Sequence, residues 1–182
     1  MTQLILILGL TACAIALALV LHAVLRPETG LWPPRHPSRR SRLAVWTLTI
    51  GIVVLLAALS VLDWGAMPLP GWLRWGVGLP LVLAGNFIVW REAGAFGSAQ
   101  TMGDAGSLRT EGFYRWSRNP QYVADMALVV GWVLVSASGA AVPMAVAVLA
   151  LLALAPLAEE PWLEATYGQA WRDYRARVRR YL

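Results

Sequence analysis

Two polar segments stand out from a largely apolar sequence. The first, Gly112–Tyr122, holds aromatic residues, Arg115, Arg118 and Asn119, and it meets a new apolar run at Pro120. The second is the pair Glu159-Glu160, which follows the last long apolar run. Adjacent carboxylates beside aromatic rings and arginines can accept hydrogen bonds from ribose hydroxyls or hold a cation. A solvated helix end is the alternative interpretation of the same pair.

The apolar runs between these segments predict that they meet in space. Two runs, about 121–138 and 140–158, are separated only by Ser138-Gly139, and so short a turn makes them antiparallel neighbours. At about 1.5 Å per residue the two helices have similar lengths, so Arg118–Tyr122 should lie beside Glu159-Glu160. Pro120 suits the first turn of a helix, and the free N–H groups of that turn favour an anion.

The composition predicts an all-α polytopic membrane protein. The chain has 182 residues, 58% of them hydrophobic. Five runs approach the roughly 20 residues that a bilayer-spanning helix needs: 4–25, 43–62, 72–90, 121–138 and 140–158. We expect one integral membrane domain over 1–182, with two N-terminal spans in 1–70 and a core in 71–182. The net charge of +5 comes from arginines at the ends of apolar runs, which indicates lipid contact and topology and not nucleic acid.

The arginines also predict an orientation. The loop Arg26–Arg42 carries five of them, which marks it as cytoplasmic. The N-terminus then lies outside, and both polar segments lie on the cytoplasmic face, as in a bacterial inner-membrane protein. His22 and His36 lack metal-ligand spacing, so we expect no metal site. Cys13 lies inside the first apolar run and has no second cysteine to pair with.

Three further features complete the pattern. The spacing of Trp171, Tyr174, Val178 and Tyr181 predicts an amphipathic helix on the cytoplasmic headgroups, which Gly168 separates from the preceding segment. Asp125 lies one turn beyond Tyr122, and an acid at such a position is a candidate functional residue. The stretch 97–106 is glycine-rich and predicts a flexible connection.

Both polar segments resemble conserved blocks of one superfamily. Residues 108–122 resemble the G-x-Y-x-x-x-R-H/N-P-x-Y block of the isoprenylcysteine carboxyl methyltransferase and phospholipid methyltransferase superfamily. Residues 159–178 are similar to its E-E-x-x-L-x-x-x-F/Y-G-x-x-Y/W-x-x-Y-x-x-x-V block. The resemblance covers about residues 80–182.

The resemblance implies an integral membrane methyltransferase that uses S-adenosylmethionine and takes a lipophilic substrate from the bilayer. It implies that one group of residues lines the cofactor site: Tyr114, Arg118, Asn119, Pro120, Tyr122, Glu159 and Glu160. The two glutamates are also the catalytic candidates, with either one as a base for a neutral acceptor. Asn119 stands where many members have histidine, and it can donate a hydrogen bond but cannot titrate.

The acceptor and the oligomeric state stay open. Many carboxyl methyltransferases carry an arginine one turn before the two glutamates, whereas this chain has only apolar residues and Pro156 there. Three classes of acceptor therefore stay open, in decreasing order of preference: a phospholipid amine, another lipophilic amine or thiol, and a carboxylate. Two alternatives remain: an NADPH-dependent membrane reductase of the sterol reductase type, with Asp125 as its acid, and a non-catalytic membrane protein of the same fold.

Overall fold

A computed structural model describes residues 1–29, 38–101 and 106–182, with only the backbone for 93 and 95–101. Within these ranges the chain is all-α and contains no strand. Six α-helices follow one another: α1 Thr2–Leu25, α2 Arg39–Leu62, α3 Leu79–Thr101, α4 Pro120–Ser136, α5 Val142–Tyr167 and α6 Gln169–Arg177. A π-helical segment, Trp72–Gly78, runs directly into α3.

About five helices cross the membrane. Among the described residues, four helices are long and apolar enough to span a bilayer: α1, α2, α5 and the continuous helix Trp72–Glu92, which joins the π-helical segment to α3. Helix α4 has 17 residues and is the shorter fifth apolar helix. Helix α5 continues to Tyr167, nine residues past the predicted end at Ala158. Glu159 and Glu160 therefore lie within a helix, not at its end.

Glycines bring α3 and α4 into close contact. A Cβ on Gly131 of α4 would lie 2.7 Å from the carbonyl oxygen of Gly78, and one on Gly85 of α3 would lie 2.7 Å from that of Ala124. Neither distance is possible for a real Cβ, so the two helices pack backbone to backbone through glycine. Small residues serve membrane helices in this way because close approach increases van der Waals contact.

Helices α1, α2 and α5 form the main apolar core. Its fully buried members include Cys13 of α1, Leu59 of α2 and Met144 of α5. Gly9 of α1 makes room for the Met144 side chain, because a Cβ there would lie 2.5 Å from the Met144 sulfur. The two N-terminal spans thus support α5, the helix that carries Glu159 and Glu160.

The α4–α5 connection is longer than the sequence predicts. It spans Ala137–Ala141, with buried Ala137 in the left-handed conformation at φ 49°. Asp63, just beyond α2, accepts hydrogen bonds from Ser138 Oγ at 2.9 Å and from the Ala140 N–H at 2.8 Å. The helices are nevertheless antiparallel neighbours, as predicted. We call the end of the bundle that holds the α4–α5 connection and Asp63 the opposite end. The end of the bundle at which α4 starts is called the site end.

Two sequence predictions fall partly outside the described residues. Residues 30–37 of the basic loop, which include Arg35 and His36, lie outside the described ranges. In the glycine-rich stretch the backbone stays helical to Thr101, so the predicted flexible connection is wrong for 97–101, and 102–105 lie outside the described ranges.

Candidate functional site

The segment before α4 folds into a defined turn at the site end. Gly112 adopts φ +64°, a left-handed conformation that glycine takes without strain, and opens a short 3-10 helix, Gly112–Arg115. Ser117 Oγ then accepts the Asn119 N–H at 3.1 Å. Pro120 is buried at the start of α4, where its missing N–H leaves no bond unmade. The polar segment is thus fixed against the first turn of α4.

The last residues of the chain lie along this segment. The Arg118 N–H donates to the Arg179 carbonyl oxygen at 2.8 Å. The Arg180 carbonyl oxygen accepts from Ser117 Oγ at 3.2 Å and from Asn119 Nδ2 at 3.0 Å. Asn119 therefore uses a side-chain donor to hold residues 179–180 in place, a job that needs no titratable group.

Glu160 is held by two arginines. Arg118 Nη2 lies 3.1 Å from Glu160 Oε1, and Arg180 binds both carboxylate oxygens, at 2.8 and 2.9 Å. The Arg118 side chain is only 8% exposed. Burial lowers the pKa of Arg118 while the Glu160 charge acts against that shift, and the hydrogen bond to Glu160 raises the pKa of Arg180. The guanidinium Nε and Nη1 of Arg118 are buried and have no partner among the described residues.

Glu159 points to a different partner. The Tyr122 hydroxyl donates a short hydrogen bond to Glu159 Oε1. These contacts confirm that Arg118 and Tyr122 lie beside Glu159-Glu160, as the hairpin predicts. The two adjacent glutamates therefore contact different side chains: Glu159 accepts from a phenol, and Glu160 is bound by two arginines.

Helix α6 covers the segment from the side. The Tyr174 hydroxyl donates to the Tyr114 carbonyl oxygen at 2.7 Å, and the Arg118 guanidinium lies 5.7 Å from the centre of the Trp171 ring. Burial raises the pKa of Tyr174 to about 12. The Trp171 and Tyr174 side chains of α6 are therefore buried against the site. The predicted helix through Tyr181 is wrong in its length, because α6 ends at Arg177 and Val178 is extended. Gly168, at φ +55°, makes the predicted break before it.

Sequence reasoning missed Glu92 at the end of the third span. Its side chain is buried, at 3% exposure, and Oε2 has no partner within the described residues. Oε1 lies 3.9 Å from the position a Cβ would take on Gly112, and neighbouring Arg91 lies over the Phe113 ring at 4.9 Å. Burial and then the Glu92 charge raise the pKa of Tyr114. In the sequence, Arg91-Glu92 resembles an ordinary charged helix end, so only packing distinguishes it.

Arg180 was also missed, and Asp125 stays a candidate. Arg180 lies among several arginines with nothing in its spacing to mark it, and its pairing with Glu160 depends on how the chain returns over the site. Asp125 is half-buried in α4, one turn beyond Tyr122. The site end therefore collects residues from α3, α4, α5 and the C-terminal segment.

Together the fold and site define a membrane-embedded helical protein with a polar, partly unsatisfied site at one end of its bundle. The sequence pattern of the phospholipid methyltransferase family matches residues 73–170, more than half of the chain. The chain belongs to this family, within the superfamily of membrane methyltransferases that the two polar segments resemble. No curated protein and no solved structure matches it.

Proposed function

We propose that this protein is an S-adenosylmethionine-dependent methyltransferase that acts on a lipophilic amine at the cytoplasmic membrane face. Family membership supports methyl transfer as the class of reaction. The observation that carries the proposal is the pairing of Glu159 with Tyr122 and of Glu160 with Arg118 and Arg180. Two contiguous carboxylates are thereby held by different side chains beside buried polar atoms.

The residues at the site end suit this cofactor. S-adenosylmethionine carries a carboxylate, an ammonium, a ribose diol and a sulfonium, so its binding site needs both donors and acceptors. Arg118 offers two buried N–H groups without partners in the described ranges, and Glu92 offers one such carboxylate oxygen. We infer that Arg118 would hold the carboxylate and Glu92 a cationic group. Unmet buried polar atoms are costly, so a bound ligand would recover that free energy.

The two glutamates would then have different roles. Both carboxylate oxygens of Glu160 are bound by guanidinium groups, so its role would be to position Arg118. Glu159, whose Oε1 accepts a hydrogen bond from the Tyr122 hydroxyl, would take the proton that an amine loses on methylation. The cofactor supplies a methyl group already activated by the sulfonium charge. The protein mainly aligns the acceptor with that methyl group and excludes water.

The charges at the site favour an amine as acceptor. Glu92, Asp125 and Glu159 contribute negative charge near Tyr114 and Tyr122, against one opposing charge, Arg109, near Tyr114. This excess of negative charge would attract an ammonium group before its deprotonation. Arg118 and Arg180 are paired with Glu160, and the remaining Arg118 donors are assigned above to the cofactor carboxylate, so neither arginine is left for a carboxylate acceptor. A phospholipid amine that enters from the bilayer fits both the charge and the membrane location.

Calorimetry on the full chain in detergent tests the cofactor. We expect S-adenosylhomocysteine to bind and NADPH not to bind, in separate titrations. Binding of NADPH alone would favour the reductase alternative, and binding of neither would favour a non-catalytic protein.

In a second step, methyl transfer to phosphatidylethanolamine is followed with labelled S-adenosylmethionine. Glu159→Gln should lower kcat about 100-fold or more while leaving cofactor affinity within about threefold. A large loss of affinity without a change in kcat would contradict the assignment.

A further inference from the structure

A cleft lined by arginines lies beside the proposed active site and has no role in the methyl transfer described above. Its volume is about 300 Å³, and Arg115 and Trp116 form one wall. The other wall is the end of the chain, formed by Arg177, Val178, Arg179 and Leu182. We call it the arginine cleft. Two separate parts of the chain thus place three guanidinium groups around one opening.

These three arginines differ from their neighbours in having no acidic partner within the described residues. Arg118 and Arg180 are paired with Glu160, and Arg172 and Arg175 with Glu164. Arg177 donates only to the backbone oxygen of Asp173, while Arg115 and Arg179 are exposed. Like charges around one opening repel one another, and an anion with several oxygens reduces that repulsion. Guanidinium groups match the geometry of phosphate in particular.

The surroundings of the cleft indicate a membrane lipid as the source of that phosphate. Trp116 is 78% exposed and Leu182 is 79% exposed, although both are apolar. Trp116 precedes the start of the apolar helix α4 at Pro120 by four residues, and Leu182 lines the same cleft. Tryptophan is enriched at this depth because its ring suits the headgroup region. A soluble anion would make no use of these two side chains.

We propose that the arginine cleft binds the phosphodiester headgroup of an anionic membrane phospholipid. A lipid held there would join Arg115 to Arg177 and Arg179 and so fasten residues 177–180 against residues 115–119. The same C-terminal residues supply the Arg180 side chain to Glu160 and the Arg179 and Arg180 carbonyl oxygens to Arg118 and Asn119. Anionic lipid would therefore stabilise the contacts of residues 179–180 with Arg118, Asn119 and Glu160. This last consequence rests on the proposed function, whereas lipid binding itself does not.

The test measures lipid retention by native mass spectrometry on the full chain in detergent, without cofactor. Phosphatidylglycerol and phosphatidylcholine are added in parallel. We expect phosphatidylglycerol to bind more tightly, and the double variant Arg115→Gln/Arg179→Gln to weaken its binding by about tenfold or more. The matched control is Arg172→Gln/Arg175→Gln, which removes the same charge from α6 at arginines already paired with Glu164. The control should stay within about threefold of the unmodified chain.

Each other outcome would overturn the proposal. Equal losses in both double variants would indicate a diffuse basic surface and not a site. Displacement of the lipid by millimolar inorganic phosphate would indicate a soluble anion as the ligand. If the double variant does not fold, the single variants Arg115→Gln and Arg179→Gln are measured instead, and unchanged affinity in both contradicts the cleft. Because no cofactor is present, failure of S-adenosylhomocysteine binding would leave the lipid result interpretable.

Discussion

The two ends of the α4–α5 hairpin satisfy their polar groups in opposite ways. At the opposite end, Asp63 accepts two hydrogen bonds from the connection, and Arg74 donates two to the Val135 carbonyl oxygen at 2.9 and 3.2 Å. The Arg74 guanidinium also lies between Trp64 and Trp75, at 5.9 and 5.5 Å from their ring centres. At the site end, buried atoms of Glu92, Arg118 and Trp171 lack partners within the described ranges.

This difference separates stability from binding. A buried polar group with its bonds made stabilises the fold, whereas one without them costs free energy unless a ligand completes it. At the opposite end, every buried polar side-chain atom of the described residues has a partner. The site end keeps donors and acceptors in place, with α6 and the C-terminal residues holding them. Substitutions at the two ends should therefore change different measured quantities.

The largest effect is expected at Glu160. Glu160→Ala leaves the buried Arg118 guanidinium without its counter-charge, and breaking a buried pair in this way costs about 3–5 kcal/mol. The free energy of unfolding in mixed micelles should fall by about that amount, and S-adenosylhomocysteine affinity should fall with it, because Arg118 loses its position. Unfolding curves and calorimetry on the same preparation measure the two quantities.

Glu164→Ala is the matched control on the same helix. Glu164 is paired with Arg172 and Arg175, but its side chain is 39% exposed, and such pairs contribute about 0–1 kcal/mol. If Glu160→Ala and Glu164→Ala lowered the free energy of unfolding equally, the ion pairs of Glu160 would behave as exposed surface pairs. The contrast between the environments of the two glutamates would then be wrong.

Glu92→Gln should have a smaller effect than Glu160→Ala, and it should not lower the stability of the fold. Glu92→Gln removes a buried charge whose Oε2 has no partner in the described part of the chain, so the thermal midpoint should stay constant or rise. Affinity for S-adenosylmethionine should fall about tenfold, because one charged hydrogen bond is lost. Thermal denaturation and calorimetry check the two halves of the prediction separately.

Glu111→Gln provides the comparison, since Glu111 is exposed and caps nothing with its side chain. It should change neither quantity. A lower midpoint for Glu92→Gln with unchanged affinity would make Glu92 a structural residue of the α3 end and remove it from the site.

Sequence reasoning succeeded where a pattern is local. Apolar runs, the short α4–α5 connection and Pro120 together placed Arg118 and Tyr122 beside the two glutamates, because helix length alone brings those ends to one level. The break at Gly168 was predictable for the same reason, since it depends on one residue and its neighbours. These features need no knowledge of how distant segments pack.

Sequence reasoning failed where a residue's role depends on packing between distant segments. The end of α5 was misplaced because polar residues after Ala158 resemble a boundary, although the helix continues through Pro161. Glu92 resembles a headgroup contact until α3 is packed against Gly112. Arg180 cannot be told from Arg177 or Arg179 until the chain has folded back over Asn119. Which arginine meets a carboxylate and which lines the arginine cleft is decided at that step.

The smallest effect is expected at Asp63, and only at low pH. Hydrogen bonds from the Ala140 N–H and then from Ser138 lower the pKa of Asp63. A lowered pKa means that the charged carboxylate is favoured in the folded state. Its contribution is therefore present above the unfolded pKa, about 3.9, and is lost as the pH falls through the folded value.

Asp63→Asn keeps an acceptor oxygen but cannot titrate. At pH 7 its thermal midpoint should lie slightly below that of the unmodified chain, and the two should converge as the pH drops below about 4. Other carboxylates titrate in both proteins, so the difference between the two midpoint profiles isolates Asp63. Parallel profiles, or a change in S-adenosylhomocysteine affinity at pH 7, would mean that the opposite end is not the purely structural end of the hairpin.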